Sequence, residues 1–190
     1  MKETRLLIRR ILSGDRDVFQ VVIQEHQRLV SHIVFRMVYN QSDRQDLCQD
    51  IFIKVYRNLS GFNSECKLST WIAKIAFNTC IDFLKKDGVR SSNNISLERT
   101  SPLDLAEADT PVDELTERKD TFFKLKREIE KMPPGFRTIL TLYHLEEMSY
   151  AEISEITQLP VGTVKSYLFR ARRLLREKLE FKYQKEDLWH

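Results

Sequence analysis

Apolar residues recur at three- and four-residue spacing along most of the chain. No stretch sustains the strict alternation of a half-buried strand, so the sequence predicts an all-α protein. Residues 4–12 form a short helix closed at Gly14. Asp15 can cap the next helix, whose apolar period runs through Phe19, Val22, Ile23, Leu29, Val30, Ile33, Val34 and Met37 until Asn40-Gln41 breaks it. Ser42 with Gln45 has capping-box spacing and is expected to open a helix over 43–59. A turn at 61–64 then leads to a helix over 69–86, ended by Gly88.

The helical period resumes over 118–131, and Pro133-Pro134 stops it. Pro134 suits the first turn of a following helix that holds Phe136, Ile139, Leu140, Leu142 and Tyr143. Ser149 with Glu152 is a further capping-box pair, and Pro160, which has no N–H to donate, interrupts the helix it opens. From Val161 the positions Val161, Val164, Leu168, Ala171 and Leu175 make one stripe at roughly 100° per residue. Between the two helical groups, residues 91–117 carry seven acidic residues against one basic residue, two prolines and no apolar period. The expected organisation is two small helical domains, 1–90 and 118–183, joined by a flexible acidic linker over 91–117. The linker can serve as a plain spacer or as a nucleic-acid mimic that occupies a positively charged channel. The tail beyond Lys182 is polar apart from Leu188-Trp189 and is expected to be partly disordered.

Composition changes this picture in two ways. Hydrophobic residues make up 42% of 190, enough for packed cores, while the net charge of +3 conceals a strong segregation. The stretch 161–182 has seven Lys or Arg against two Glu, far from the mixed charge of a merely solvated helix. Cys48, Cys66 and Cys80 are odd in number and lack C-x-x-C spacing, and the four histidines are scattered. Buried or half-buried thiols in a reducing compartment are therefore expected, with no metal and no cofactor. No signal peptide and no apolar run near the roughly 20 residues of a membrane span is visible, which points to a cytoplasmic protein.

Three helix faces carry candidate chemistry. Opposite the 161–175 stripe lie Ser166, Phe169, Arg170, Arg173 and Arg176, with Thr163 and Lys165 at the edges. Two helices around a short turn, the second one basic, make a helix-turn-helix unit whose second helix enters the major groove. There Phe169 can meet a thymine methyl while Arg and Lys reach guanine edges or phosphates. Gln158 stands in the turn where Gly is common; a left-handed Gln costs of order 1 kcal/mol over Gly. On the helix over 69–86, Ile72, Ala76, Thr79 and Phe83 face inward, and Trp71, Lys74, Asn78, Asp82 and Lys85 form another stripe. Trp71 alone reads as a core-closing ring; beside Lys74, Asn78 and the basic end at Lys85, Lys86 and Arg90 it reads better as a nucleic-acid contact. On the helix over 43–59, Leu47, Phe52 and Ile53 extend the apolar character round the axis, interleaved with Asp46, Gln49 and Asp50. A central buried helix explains the apolar residues, whereas docking against a partner explains the acidic ones as well.

Together these stretches resemble one family. Asp46-Leu47-Cys48-Gln49-Asp50-Ile51-Phe52 is similar to the segment by which bacterial sigma factors grip RNA polymerase. The stretch from Ser69-Thr70-Trp71-Ile72 to Asn78 resembles the family's promoter-melting helix, and 149–173 resembles its carboxy-terminal helix-turn-helix. Order and spacing match the compact two-domain extracytoplasmic-function sigma factors over nearly the whole chain. The resemblance implies that Asp46, Leu47, Gln49, Asp50, Phe52 and Ile53 contact the clamp helices of the polymerase largest subunit. It implies that Phe62, Trp71, Lys74 and Asn78 hold the non-template strand of the −10 element with one base flipped into a pocket, at a cost of a few kcal/mol. Lys165, Ser166, Phe169 and Arg170, with Thr163, then read the −35 element, and Arg172, Arg173 and Arg176 hold phosphates. The linker is implied to thread toward the polymerase active-site and RNA-exit channels, which favours mimicry. Core RNA polymerase, promoter DNA and an anti-sigma factor, in many members membrane-bound, are the implied partners, with no small-molecule substrate. Phe77 and Tyr167 depart from the family's common Arg at those positions.

No triad, paired carboxylates or phosphate loop is present, so an enzyme is not expected. The rival is a stand-alone helix-turn-helix regulator, which leaves the 46–53 helix and the Trp71–Asn78 face unexplained.

Overall fold

The structure is a computed structural model that describes residues 2–86 and 117–183. Among the described residues the chain forms eight α-helices, one 3₁₀ turn and no strand. In order they are α1 Lys2–Leu12, α2 Arg16–Met37, α3 Gln41–Asn58, the turn Leu59–Gly61, α4 Leu68–Lys86, α5 Glu117–Glu130, α6 Pro134–His144, α7 Tyr150–Thr157 and α8 Val161–Lys182. Most of the expected linker, the stop at Gly88, the basic residue Arg90, and the tail with Leu188-Trp189 lie outside the described residues.

Local chemistry accounts for most helix starts. Asp15 caps α2 by accepting the Val18 N–H, and Arg10 pairs with the same carboxylate at 2.7 Å. Gly14 takes φ 98°, open to glycine at little cost. Pro134 opens α6 as expected. The expected Ser42–Gln45 capping box does not form. Asn40 caps α3 instead, its side-chain oxygen accepting the Ser42 N–H at 2.9 Å. The chain is already extended at Val38 and Asn40, so Ser42 falls inside the first turn, where its side chain has no cap to make.

The 22-residue α2 is the central strut, packed on α1, α3, α4 and α6. Its face of Val22, Leu29, Val30, Ile33, Val34 and Met37 meets Ile51 and Val55 of α3 and Ile72, Ala73 and Ala76 of α4, all buried. Each such large side chain contributes roughly 1.5–3 kcal/mol of transfer free energy. The second group is held by Ile139, Leu142, Ile153, Ile156, Val164, Leu168 and Ala171.

The two groups are in contact, a relation the hydrophobic pattern does not contain. α6 lies on α2, and α7 lies on α4. The polar pairs across this seam set nitrogen-bearing side chains of the first group against side-chain oxygens of the second. His32 Nδ1 is 2.5 Å from Glu146 Oε1, and Lys67 Nζ is 2.9 Å from Glu152 Oε1. Arg36 Nε donates to Thr141 Oγ1 at 3.1 Å, and its Nη1 lies 3.9 Å from Glu130 Oε1. In the reverse sense, the buried Arg137 guanidinium sits 4.7 Å above the Tyr39 ring. No described helix is long and apolar enough to cross a membrane.

Candidate partner and nucleic-acid faces

The helix-turn-helix is built as the sequence predicts. Ser149 caps α7 with the reciprocal Glu152 bond, and Gln158 ends it in the left-handed region at φ 59°, ψ 23°. The turn is pinned by Ser154 Oγ donating to the Leu159 carbonyl at 2.6 Å and Thr157 Oγ1 donating to Ile153 at 2.7 Å. On α8 the buried stripe is narrower than expected at both ends. Val161 is 40% exposed and Leu175 half-buried, whereas Val164, Leu168 and Ala171 are buried. Tyr167 joins them, 1% exposed with its ring 5.4 Å from Phe136. Tyr167 thus occupies the core, a role its polar hydroxyl does not advertise in sequence.

The outward face of α8 carries Lys165, Ser166, Phe169, Arg170, Arg172, Arg173 and Arg176, all exposed, with Thr163 half-buried beside them. Phe169 is 65% exposed among these cations, an apolar ring left open to a partner. Not every cation is equally free. Arg173 and Arg176 pair one turn on with Glu177 and Glu180, at 3.4 and 2.7 Å. Arg170 lies 5.5 Å from the Tyr167 ring.

A cluster that the sequence reading missed spans α6, α7 and α8. The Tyr143 and Tyr150 rings stack at 5.1 Å and 16°. Arg172 lies 5.1 Å from the Tyr143 ring, Lys165 lies 5.6 Å from the Tyr150 ring, and Arg172 Nε donates to His144 Nε2 at 3.3 Å. Burial and the Arg172 charge hold the His144 imidazole below its usual range, so it remains an acceptor. The tyrosines are seven positions apart and the cations 15 to 29 positions further on, and the turn between α6 and α7 and the packing of α8 bring them together.

On α4, Trp71, Lys74 and Asn78 are half-buried on one stripe, with Asp82 and Lys85 exposed. The Phe62 ring, 9% exposed, meets Trp71 edge-on at 5.4 Å. Phe62 and the left-handed Ser64 (φ 62°) border a cavity of about 510 Å³, which Cys66, Lys67 and Thr70 also line. The fully buried Thr70 hydroxyl has no hydrogen-bond partner among the described residues. The opposite wall is α7, through Ala151, Glu152 and Glu155. Burial, with the adjacent Glu155 carboxylate, pushes the Cys66 thiol up to about 11, so it is not a thiolate nucleophile at neutral pH. Burial likewise raises Cys48, and Cys80 to about 12. All three thiols are free.

On α3 the structure separates the six expected partner residues. Asp46, Gln49, Asp50 and Ile53 form an exposed acidic face with Ile53 47% open, while Leu47 and Phe52, 5% and 9% exposed, are seated in the core beneath it. Lys54 ties this helix to α4 by donating to Thr79 Oγ1 at 3.2 Å. Among the described residues no group of His, Cys, Asp or Glu could hold a metal ion.

Comparison with known proteins gives these faces a context. Residues 22–89 match Sigma-70 region 2, and residues 122–175 match Sigma-70, region 4. The chain is 34% identical over 181 residues to the ECF RNA polymerase sigma-E factor of Haemophilus influenzae, covering 92% of this chain and 94% of that protein. It is 31% identical over 179 residues to the ECF RNA polymerase sigma factor SigW of Bacillus subtilis, covering 90% and 94%. Among solved structures, CnrH in complex with the cytosolic domain of CnrY matches with TM-score 0.66 and 18% identity over 94% of this chain and 98% of that one. The sigma factor RpoE in complex with the anti-sigma factor NepR from Bartonella quintana matches with TM-score 0.63 and 20% identity, covering 87% and 98%. At these identities the two structures share the fold.

Proposed function

The chain belongs to the ECF RNA polymerase sigma factors, and from that membership we propose that it directs core polymerase to promoters by gripping the −10 and −35 elements at two separate points. A sigma factor acts in transcription initiation as a binding factor rather than an enzyme. The observation that carries the finer reading is the division of labour among the three faces. The α3 face of Asp46, Gln49, Asp50 and Ile53 is acidic with an apolar centre, unsuited to DNA and suited to a helical protein partner. It docks on the clamp helices of the polymerase largest subunit, with Leu47 and Phe52 supporting it from the core.

Trp71, Lys74 and Asn78 hold the non-template strand of the −10 element and assist its melting, with one base flipped against Phe62. Thr163, Lys165, Ser166, Phe169 and Arg170 face the −35 major groove, and Arg172, Arg173 and Arg176 the phosphates. Because α7 walls the cavity beside Phe62, the −10 contact requires the two halves to part, and binding to core polymerase supplies the free energy. Units 1–90 and 118–183 then act as separate promoter-binding domains with 91–117 threading the polymerase channels between them. The protein works in the cytoplasm and is held there by an anti-sigma factor, at the membrane where that factor is membrane-bound; the complex of the sigma factor RpoE with the anti-sigma factor NepR motivates this partner. Reconstitution with core polymerase, comparing the native chain with Asp50→Arg, tests the reading.

A further inference from the structure

We propose that the stacked pair Tyr143–Tyr150 is a positioning device of the −35 interface that fixes Lys165 and Arg172 as contacts to the DNA backbone, which takes Lys165 out of the base-reading set and keeps Arg172 with the phosphates. The proposal rests on the −35 role of α8 given above.

Lys165 and Arg172 are seven residues apart on α8, two helical turns, so they project from one side of it about 10 Å apart along the axis. Both are turned onto the aromatic pair, Lys165 at 5.6 Å from Tyr150 and Arg172 at 5.1 Å from Tyr143. Arg172 is further tied by its Nε–H to His144. The two rings come from different helices, the end of α6 and the start of α7, and stack across the turn that holds Glu147 at φ 50°. The stack therefore fixes α6, α7 and one side of α8 relative to each other at the surface, with a cation above each ring.

The geometry separates two kinds of basic residue on α8. Ser166 and Phe169 lie about 110° and 50° round the helix from the Lys165–Arg172 side and hold no contact with the stack, so they can adapt to base edges. Lys165 and Arg172 give up part of that freedom. An immobilised cation loses less side-chain entropy when it meets a phosphate, but it cannot reorient to discriminate bases. Arg172 turns both Nε and Nη2 to His144 at 3.3 Å and also hydrogen-bonds the Tyr143 and Tyr150 side chains, so it meets a phosphate only with the donors left over.

The test is reconstituted holoenzyme binding to promoter DNA across a salt series and across single-base −35 variants. The chains compared are the native one, Tyr143→Phe, Tyr143→Leu, Arg172→Gln and the double variant. Tyr143→Leu is expected to lower affinity about three- to ten-fold, equally for all −35 sequences, and to reduce the salt slope by about one phosphate contact. Tyr143→Phe, which keeps the ring but loses a hydroxyl that hydrogen-bonds Tyr150 and Arg172, falls between the native chain and Tyr143→Leu in both. Arg172→Gln gives the same loss, and adding Tyr143→Leu to it costs little more, because the tyrosine acts through the cation. The Arg172→Gln arm stands whether or not Tyr143→Leu folds, and thermal melting of each chain checks that. A native slope for Tyr143→Leu, full additivity in the double variant, or a loss confined to particular −35 bases overturns the proposal. If the native holoenzyme shows no dependence on the −35 sequence at all, the −35 reading itself falls instead.

Discussion

Lys67 Nζ lies 2.9 Å from Glu152 Oε1, so the residue just before α4 is tied to the carboxylate that also closes the capping box of α7. One side chain thereby serves two purposes. Its Oε2 accepts from the Ser149 backbone N–H at 2.9 Å and from the Ser149 hydroxyl at 2.8 Å, which fixes the start of the helix-turn-helix. Its other oxygen joins the two halves of the molecule. Glu152→Gln is expected to keep the cap, since Gln serves equally at that position, and to remove the charge. Lys67 is 75% exposed on its side chain and Glu152 21%, so the pair is worth about 0.2–1 kcal/mol. Loosening the seam should raise the alkylation rate of Cys66, which lines the cavity beneath, about two- to five-fold as read by site-resolved mass spectrometry. An unchanged rate would mean that apolar packing alone holds the seam.

The same carboxylate gives a pH signature. Burial raises its affinity for a proton, but hydrogen bonds from Lys67 and Ser149 outweigh that and take it down to about 2 from an ordinary 4.5. A depressed carboxylate contributes stability that is complete above about pH 4.5 and is lost as the pH falls toward 2. Thermal melting over that window is expected to show a decline in stability that Lys67→Met makes shallower. Parallel curves for the two chains would place the acid sensitivity elsewhere.

How far these features could be read in advance follows the range of the interaction. The Ser149–Glu152 box and the break before Pro160 depend on residues within a few positions of each other, and both are in place. The expected cap of α3 at Ser42 is displaced for a local reason: Asn40 caps equally well, and the backbone direction leaving α2 selects it. Alternating exposure on α3 was visible as mixed apolar and acidic residues, but which of Leu47, Phe52 and Ile53 turned outward depended on α2 and α4. The His32–Glu146 pair, 114 residues apart, has no periodic signature at all, and the Tyr143–Tyr150 stack, though only seven residues apart, depends on the turn between α6 and α7 rather than on a helical period.

Gln158 carries the left-handed turn of the helix-turn-helix at φ 59°, where a Cβ is disfavoured. Gln158→Gly is expected to stabilise the chain by about 1 kcal/mol, a rise in melting temperature of about 2–4 °C for a chain of this size. No rise, or a fall, would show that the Gln158 side chain makes a compensating contribution.

Arg170 and Arg176 separate base reading from phosphate holding. Arg170→Ala is expected to relax discrimination at one −35 position by about 1–3 kcal/mol, measured as relative transcription across a promoter library. Arg176, already paired with Glu180 at 2.7 Å, should on Arg176→Ala weaken all sequences alike. A uniform loss for Arg170→Ala would assign it to phosphate.

The most direct measurement is run-off transcription from a promoter library by core RNA polymerase with and without the chain, alongside co-purification of the two. The native chain is expected to co-purify with core and to switch on a distinct promoter set. Asp50→Arg, which reverses a charge on the exposed α3 face without touching its buried residues, should abolish both while leaving the melting temperature unchanged. Failure of the native chain to bind core, or full activity of the folded Asp50→Arg chain, would contradict the account.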